Sequence, residues 1–242
     1  MEERDDMSKE NKSKSIQPDI KTWSLFTGLS DQDYIDLEKN IKIINFNKDE
    51  VVFRPNDQAD GMYYMISGTM KISKIMPEGK AQILYIYHAD DFVGGLNVLS
   101  GDHYLYLGET LEPCKIGYIP KNVFLKYVLN NTQSLISLLE KSYDRIRWAE
   151  DLISRLSSSN AEIKVAGLLI SLIDSYGRKR GQDIHLELSI TREEMGSYAG
   201  LTRETMTRKL NEFRKRDLID FRGNRTIIIK NLEALRSIIY LV

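Results

Sequence analysis

Cysteine is almost absent from this chain: its 242 residues contain one, Cys114. A disulfide framework is therefore excluded, and so is an iron–sulfur cluster on a single chain, which takes about four thiolates. Histidine is nearly as scarce. His88, His103 and His185 are scattered without paired ligand spacing, so a histidine-rich metal centre has no basis in the pattern; His103, beside Tyr104, is the best single candidate for a metal or haem ligand. No phosphate loop, nucleophile–base constellation or paired-cysteine zinc pattern is present. Long apolar runs are missing as well, none approaching the ~20 residues that span a bilayer. Residues 1–14 are polar and charged, unlike a secretory signal. A cytoplasmic protein without membrane contact is expected. Residues 1–18 are too polar to bury apolar surface and are expected to be a disordered tail.

The net charge of −1 gives no hint of a polyanionic partner, but its distribution does. Residues 158–242 hold 15 Lys/Arg against 11 Asp/Glu, whereas residues 1–157 hold 19 against 24. A mildly basic C-terminal part on an acidic N-terminal part suits DNA binding by one domain. Within the basic part, Thr191 followed by Glu194 forms a capping box. Ala199-Gly200 ends that helix, because glycine takes a left-handed conformation without steric cost. Thr202 caps a second helix whose apolar residues Met206, Leu210 and Phe213 recur at helical spacing and face Met195 and Ala199. Arg203, Glu204, Thr207, Arg208 and Asn211 are left outward. A helix-turn-helix presents such a polar N-terminal face to the major groove, although Glu204 and Arg208 also have the spacing of an ordinary surface ion pair. Two β-rich runs follow, at 218–221 and 226–229, separated by Arg222-Gly223-Asn224-Arg225: a hairpin with a basic tip, of the form of a wing.

The stretch TREEMGSYAGLTRETMTRKLNEFRKRDLIDFRGNRTIIIKN resembles the winged helix-turn-helix of the Crp/Fnr family of bacterial transcription regulators. The resemblance extends upstream through Ser159-Asn160-Ala161-Glu162. Residues 43–119 change to short strand-like runs punctuated by Asn56-Asp57, Ser67-Gly68, Pro77-Glu78-Gly79 and Asp90-Asp91, the pattern of a β-sandwich or jelly roll. Their segment KDEVVFRPNDQADGMYYMISGTMKISKIMPEGK resembles the cyclic-nucleotide-binding β-roll of the same family. An α+β chain is thus expected: a β-roll sensor over 19–120, a long dimerisation helix over 121–157 and a winged helix-turn-helix over 158–242.

Across 121–157, Leu135, Ser142, Ala149 and Leu156 form one seven-residue series and Leu139, Ile146 and Ile153 another. Together they make an a/d stripe suited to a partner helix, with small residues that permit close approach. Packing of this helix on its own β-roll, through Leu138 and Tyr143, is the competing reading. In the family this helix is the homodimer axis.

The resemblance also locates an effector pocket at Gly94, Gly95, Leu96, Tyr104 and Leu105. Cyclic-AMP receptors hold the cyclic phosphate there with a Gly-Glu-Leu stretch and an Arg-Ser pair. Here the stretch reads Gly94-Gly95-Leu96 and the pair falls on Tyr104-Leu105, so the glutamate and the arginine are both missing. A buried phosphate needs a guanidinium or several donors; no cofactor is expected, and cyclic AMP is disfavoured as effector. Tyr63, Tyr64, Tyr85, Tyr87, Tyr104 and Tyr106 line either an apolar pocket or, more commonly in such folds, plain core. Cys114, in an apolar run, reads as a small core residue rather than a thiol switch.

A homodimeric DNA-binding regulator, not an enzyme, is the function this pattern supports, with double-stranded DNA, a second copy and RNA polymerase as implied partners. A constitutive binder with a non-sensing β-roll, and more remotely a jelly-roll metal enzyme, are the alternatives. In the resembling reading head, Arg203, Glu204, Thr207 and Arg208 face bases. Arg203 matches the cyclic-AMP receptor type, whose half-site is TGTGA, rather than the oxygen-regulator type, whose half-site is TTGAT. Thr191, Arg192, Thr202, Thr205, Arg222 and Arg225 are expected on phosphates.

Overall fold

A computed structural model describes residues 19–240, so the expected tail lies outside the described residues. After a short 3-10 turn at Ile20–Thr22, helix α1 (Asp31–Asn40) starts on a capping box between Ser30 and Asp33. The β-roll follows as β1 (Lys42–Phe46), β2 (Val51–Phe53), β3 (Gly61–Ser67), β4 (Met70–Ile75), β5 (Ala81–Tyr87), β6 (Phe92–Val93), helix α2 (Gly95–Ser100), β7 (Leu107–Thr110) and β8 (Cys114–Pro120). Its strands form two antiparallel sheets, ordered β1-β8-β3-β6 and β2-β7-β4-β5. The turns lie where their residues allow: Asn56, Gly68, Gly79 and Asp90 all take positive φ, the conformation glycine and asparagine-like residues tolerate best. Met62, Met65, Met70, Ile72 and Ile116 from both sheets are fully buried in one core. Trp23 joins it, its ring stacked on Tyr64 at 4.1 Å.

The stretch 121–157 is not one helix. A short turn α3 (Lys121–Val123) runs into a π-helical turn at Phe124–Val128, and the chain breaks at Asn131. Asn131 then caps α4 (Thr132–Ser157), accepting from the Ser134 amide at 2.9 Å.

Asn160 caps α5 (Ala161–Ser171), which leads through α6 (Ile173–Tyr176) to a hairpin, β9 (Gly177–Arg180) and β10 (Asp183–Glu187). Helices α7 (Arg192–Ala199) and α8 (Arg203–Lys215) and the hairpin β11 (Ile219–Arg222) and β12 (Thr226–Ile229) come next, then α9 (Leu232–Tyr240). The last four strands make one sheet, ordered β11-β12-β10-β9. The second core unites this domain with one side of the β-roll: Ile83, Ile86 and Leu111 are buried with Leu169, Met195 and Leu210.

Polar bonds reinforce that junction. Ser197 of α7 sits on the free edge of β5, its Oγ accepting from the Ile83 amide at 3.0 Å and donating to the Ala81 carbonyl at 2.5 Å. An edge strand's unpaired groups are thereby covered. Lys71 of β4 pairs with Glu194 at 2.9 Å, both side chains largely buried.

Candidate nucleic-acid interface

The local geometry of 191–216 follows its caps. The Thr191 hydroxyl accepts from the Glu194 amide, and the Glu194 carboxylate accepts from the Thr191 amide at 2.8 Å. Gly200 ends α7 at φ 64°. Thr202 caps α8 through the Thr205 amide at 3.2 Å. Met206, Leu210 and Phe213 are buried with Met195 and Ala199, so α8 is anchored by one face and presents the other.

That other face carries Arg203, Glu204, Thr207 and Arg208, all exposed. Arg208 pairs one turn onward, with Glu212 at 3.2 Å, instead of with Glu204. Arg203 and Glu204 consequently make no side-chain hydrogen bond or ion pair among the described residues. An arginine fork and a carboxylate left unsatisfied side by side can donate to guanine N7 and O6 and accept from cytosine N4. Thr207 spends its hydroxyl on the Arg203 carbonyl at 2.8 Å, which leaves its methyl group for apolar contact.

The residues expected on phosphates differ in how freely they are exposed. Arg222 and Arg225, at the ends of the wing turn that holds Gly223 at φ 64°, are exposed and free of side-chain partners among the described residues. Arg192 is half-buried, its guanidinium 5.0 Å from the Phe221 ring centre, and burial lowers its pKa. Thr191, Thr202 and Arg203 line one wall of a cleft of about 900 Å³. The tip of the β4–β5 hairpin, with Met76, Glu78 and Lys80, forms its other wall.

The α4 stripe is sorted by its neighbours. Leu139, Ile146 and Ile153 are 60%, 57% and 63% exposed. Leu135 packs on the β-roll core, Ser142 donates to the Leu138 carbonyl, Ala149 is half-buried and Leu156 lies against Gly200. The series on the other flank, Ile136 and Tyr143, is the one left open, Tyr143 at 61%. Of the two residues with a competing place on the β-roll, Leu138 is buried there and Tyr143 is not.

In the β-roll, Gly94 and Gly95 are buried at the start of α2, whereas Leu96 and Leu105 are exposed. Tyr104 turns inward. Its hydroxyl donates to the Gly61 carbonyl, its ring lies 4.6 Å from that of Phe53, and a β-carbon on Gly94 would come within 2.9 Å of it. Tyr64, Tyr87 and Tyr104 are buried in packed core. His103 is half-exposed, 3.9 Å from Asp102, and among the described residues no three His, Cys, Asp or Glu side chains converge as metal ligands. Cys114 is buried, donates to the Thr69 and Glu112 carbonyls, and has its thiol pushed up to about 11 by burial. A thiol so placed is unreactive at neutral pH.

Fold and reading face together describe a transcription regulator with a β-roll half and a winged helix-turn-helix half. Comparison with known proteins agrees. A cyclic nucleotide-binding domain model matches residues 43–131 and a Crp-like helix-turn-helix domain model matches residues 163–238. The fumarate and nitrate reduction regulatory protein of Salmonella typhi is 30% identical over 193 residues, covering 79% of this chain and 76% of that one. The transcriptional activatory protein AadR of Rhodopseudomonas palustris is 25% identical over 211 residues, covering 86% and 87%. The structure of FixK2 from Bradyrhizobium japonicum superposes with a TM-score of 0.72 at 22% identity, covering 81% of this chain and 96% of that one. The chain belongs to the Crp/Fnr family and is a DNA-binding transcription regulator of that type. Among the described residues, no helix is long and apolar enough to cross a membrane.

Proposed function

We propose that two copies of the chain pair through the open face of α4 and read an inverted repeat with the exposed N-terminal face of α8. The observation that carries this reading is the pair of unpartnered charges on α8, Arg203 and Glu204, on a helix whose opposite face is fully buried. Arg203 reads the outer guanine of a TGTGA-like half-site, and Glu204 with Arg208 reads the inner G·C pair. Thr191, Arg192, Thr202, Thr205, Arg222 and Arg225 set register on phosphates, Arg192 with the least freedom to reach out. Pairing places two such helices one helical turn apart on the duplex. The protein works in the cytoplasm, contacts RNA polymerase and has no catalytic activity.

No cofactor is required. With Gly95, Tyr104 and Leu105 in place of the phosphate-holding residues, and Tyr104 folded into the core, cyclic AMP gives neither conformer preferential binding and shifts no population. Selection of bound sequences from random DNA tests the whole reading. A TGTGA-like inverted repeat is expected, with the same affinity in the presence and absence of micromolar cyclic AMP. An asymmetric consensus, or a clear gain with cyclic AMP, refutes it.

A further inference from the structure

At the meeting point of α4, the β-roll and the DNA-binding domain lies a pocket of about 40 Å³, lined among others by His88, Asp151, Arg155, Ser171, Tyr176 and Tyr198. Arg155, near the end of α4, is 8% exposed and forms no ion pair among the described residues. Its guanidinium stacks 5.2 Å from the Tyr198 ring centre. Tyr176 is likewise 8% exposed, with His88 edge-on at 4.8 Å. Arg155 Nε and Tyr176 Oη are both buried without a protein hydrogen bond of good geometry among the described residues, although the Thr69 side chain lies near the phenol and the Tyr198 hydroxyl near the guanidinium.

Two donors without a well-placed partner, on residues that line one small pocket, call for an acceptor there. One of them is a cation. Burying a charge without an ion pair costs several kcal/mol, which the Tyr198 ring and a water molecule offset only in part and an anion offsets well. Asp151, one turn earlier on α4, shares the lining but is exposed and makes no ion pair with Arg155. Burial raises the phenols of Tyr176 and Tyr198, so both stay neutral donors at physiological pH. The volume exceeds the ~10–15 Å³ that admits a single water and is too small for a nucleotide.

We propose that this junction pocket is a small-anion site, taking one halide, nitrite or nitrate ion between the Arg155 guanidinium and the Tyr176 hydroxyl. An ion held there touches α4, the strand end after β5 and the helices of the DNA-binding domain at once, and fastens the three together.

Thermal unfolding of the full chain without DNA tests the site, with nitrate, nitrite or chloride replacing gluconate at constant ionic strength. The midpoint rises and saturates with the small anions in the native protein. Arg155→Met moves half-saturation to roughly tenfold higher concentration, and Tyr176→Phe, which removes only a hydroxyl, moves it less. Relaxation of ³⁵Cl in the native protein gives a second reading that needs no variant: broadening is expected, and nitrate should remove it. Identical responses in native and both variant proteins, broadening that nitrate leaves untouched, or no difference between nitrate and gluconate overturn the proposal; the last outcome means water alone. Because DNA is absent throughout, none of these outcomes bears on the reading of α8.

Discussion

The starts of α8 and α2 both lie close to a left-handed glycine and are equipped differently. Gly200, at φ 64°, ends α7 two residues before the cap of α8, whereas Gly94, at φ 92°, is itself the capping residue of α2. At α8, Thr202 caps the helix with its side chain, and the next two residues are exposed, charged and unpaired among the described residues. At α2 no side chain caps the helix, no charged residue occupies the first turn, and Tyr104 fills the adjoining space. A left-handed glycine lies close to both helix starts, but only α8 carries charge there that is left unsatisfied among the described residues.

The largest effect expected is at the proposed seam on the open face of α4. Ile146→Glu places a charge in the middle of the open stripe, which a paired helix cannot compensate, and should weaken self-association by several kcal/mol. Sedimentation at micromolar concentration should show a monomer that binds its operator poorly. An intact dimer at full affinity would remove α4 from the account.

The β-roll side of the comparison is broken by opening it. Tyr104→Ala removes a buried ring and should cost ~3 kcal/mol or somewhat more in urea unfolding, as other large aromatic truncations do. Cyclic AMP should restore none of this loss. Restoration would mean that the Gly94 turn still holds a nucleotide and that Tyr104 merely occludes it.

On the DNA side, Arg203→Ala should cost ~1–3 kcal/mol per half-site and relax preference only at the outer base. Arg225→Ala should weaken all sequences alike and flatten the salt dependence by about one unit. Sites selected by the two variants separate base reading from phosphate contact directly. Unchanged base preference in the Arg203 variant would reassign α8.

What was legible in the sequence was whatever local chemistry decides. The caps at Thr191 and Thr202, the wing glycine, and the apolar period of α8 all predicted their elements because each acts within a few residues. The face that α4 leaves open was half legible. Two heptad series flank Leu139, Ile146 and Ile153, and period alone cannot choose between Leu135/Leu156 and Ile136/Tyr143. The choice is made by what the helix meets: the β-roll core takes Leu135, and Leu156 lies against Gly200. The break at Asn131 is an asparagine cap in an otherwise helical pattern. The β9–β10 hairpin escaped for a different reason. Its first strand, Gly177–Arg180, is nearly all charge, and it is a strand only because β10 pairs with both it and β12. The junction pocket left no trace in the pattern, since its residues come from segments separated along the chain.

The smallest effect concerns the junction, where two groups titrate in separate windows. Burial disfavours the Glu194 carboxylate, but Lys71 and the Thr191 amide outweigh that and hold its pKa below the ordinary 4.5. A lowered carboxyl means the unfolded chain binds the proton first, so this stabilisation is complete above 4.5 and is lost as pH falls further, through the folded value. His88 behaves likewise at higher pH. Burial lowers its pKa from 6.5, against the opposing charges of Asp91 and Glu112, with Asp151 and Arg155 of α4 and the Tyr176 phenol around the same pocket. Its neutral form is favoured by folding, so stability should start to fall as pH drops below 6.5. Two small steps are therefore expected in the unfolding midpoint of the full chain. His88→Phe should flatten the upper step and leave the lower, and Lys71→Met should diminish the lower and leave the upper. One merged step would show that the two groups do not report separately on the docking of the DNA-binding domain on the β-roll, and an upper step that survives in the His88 variant would remove His88 from it.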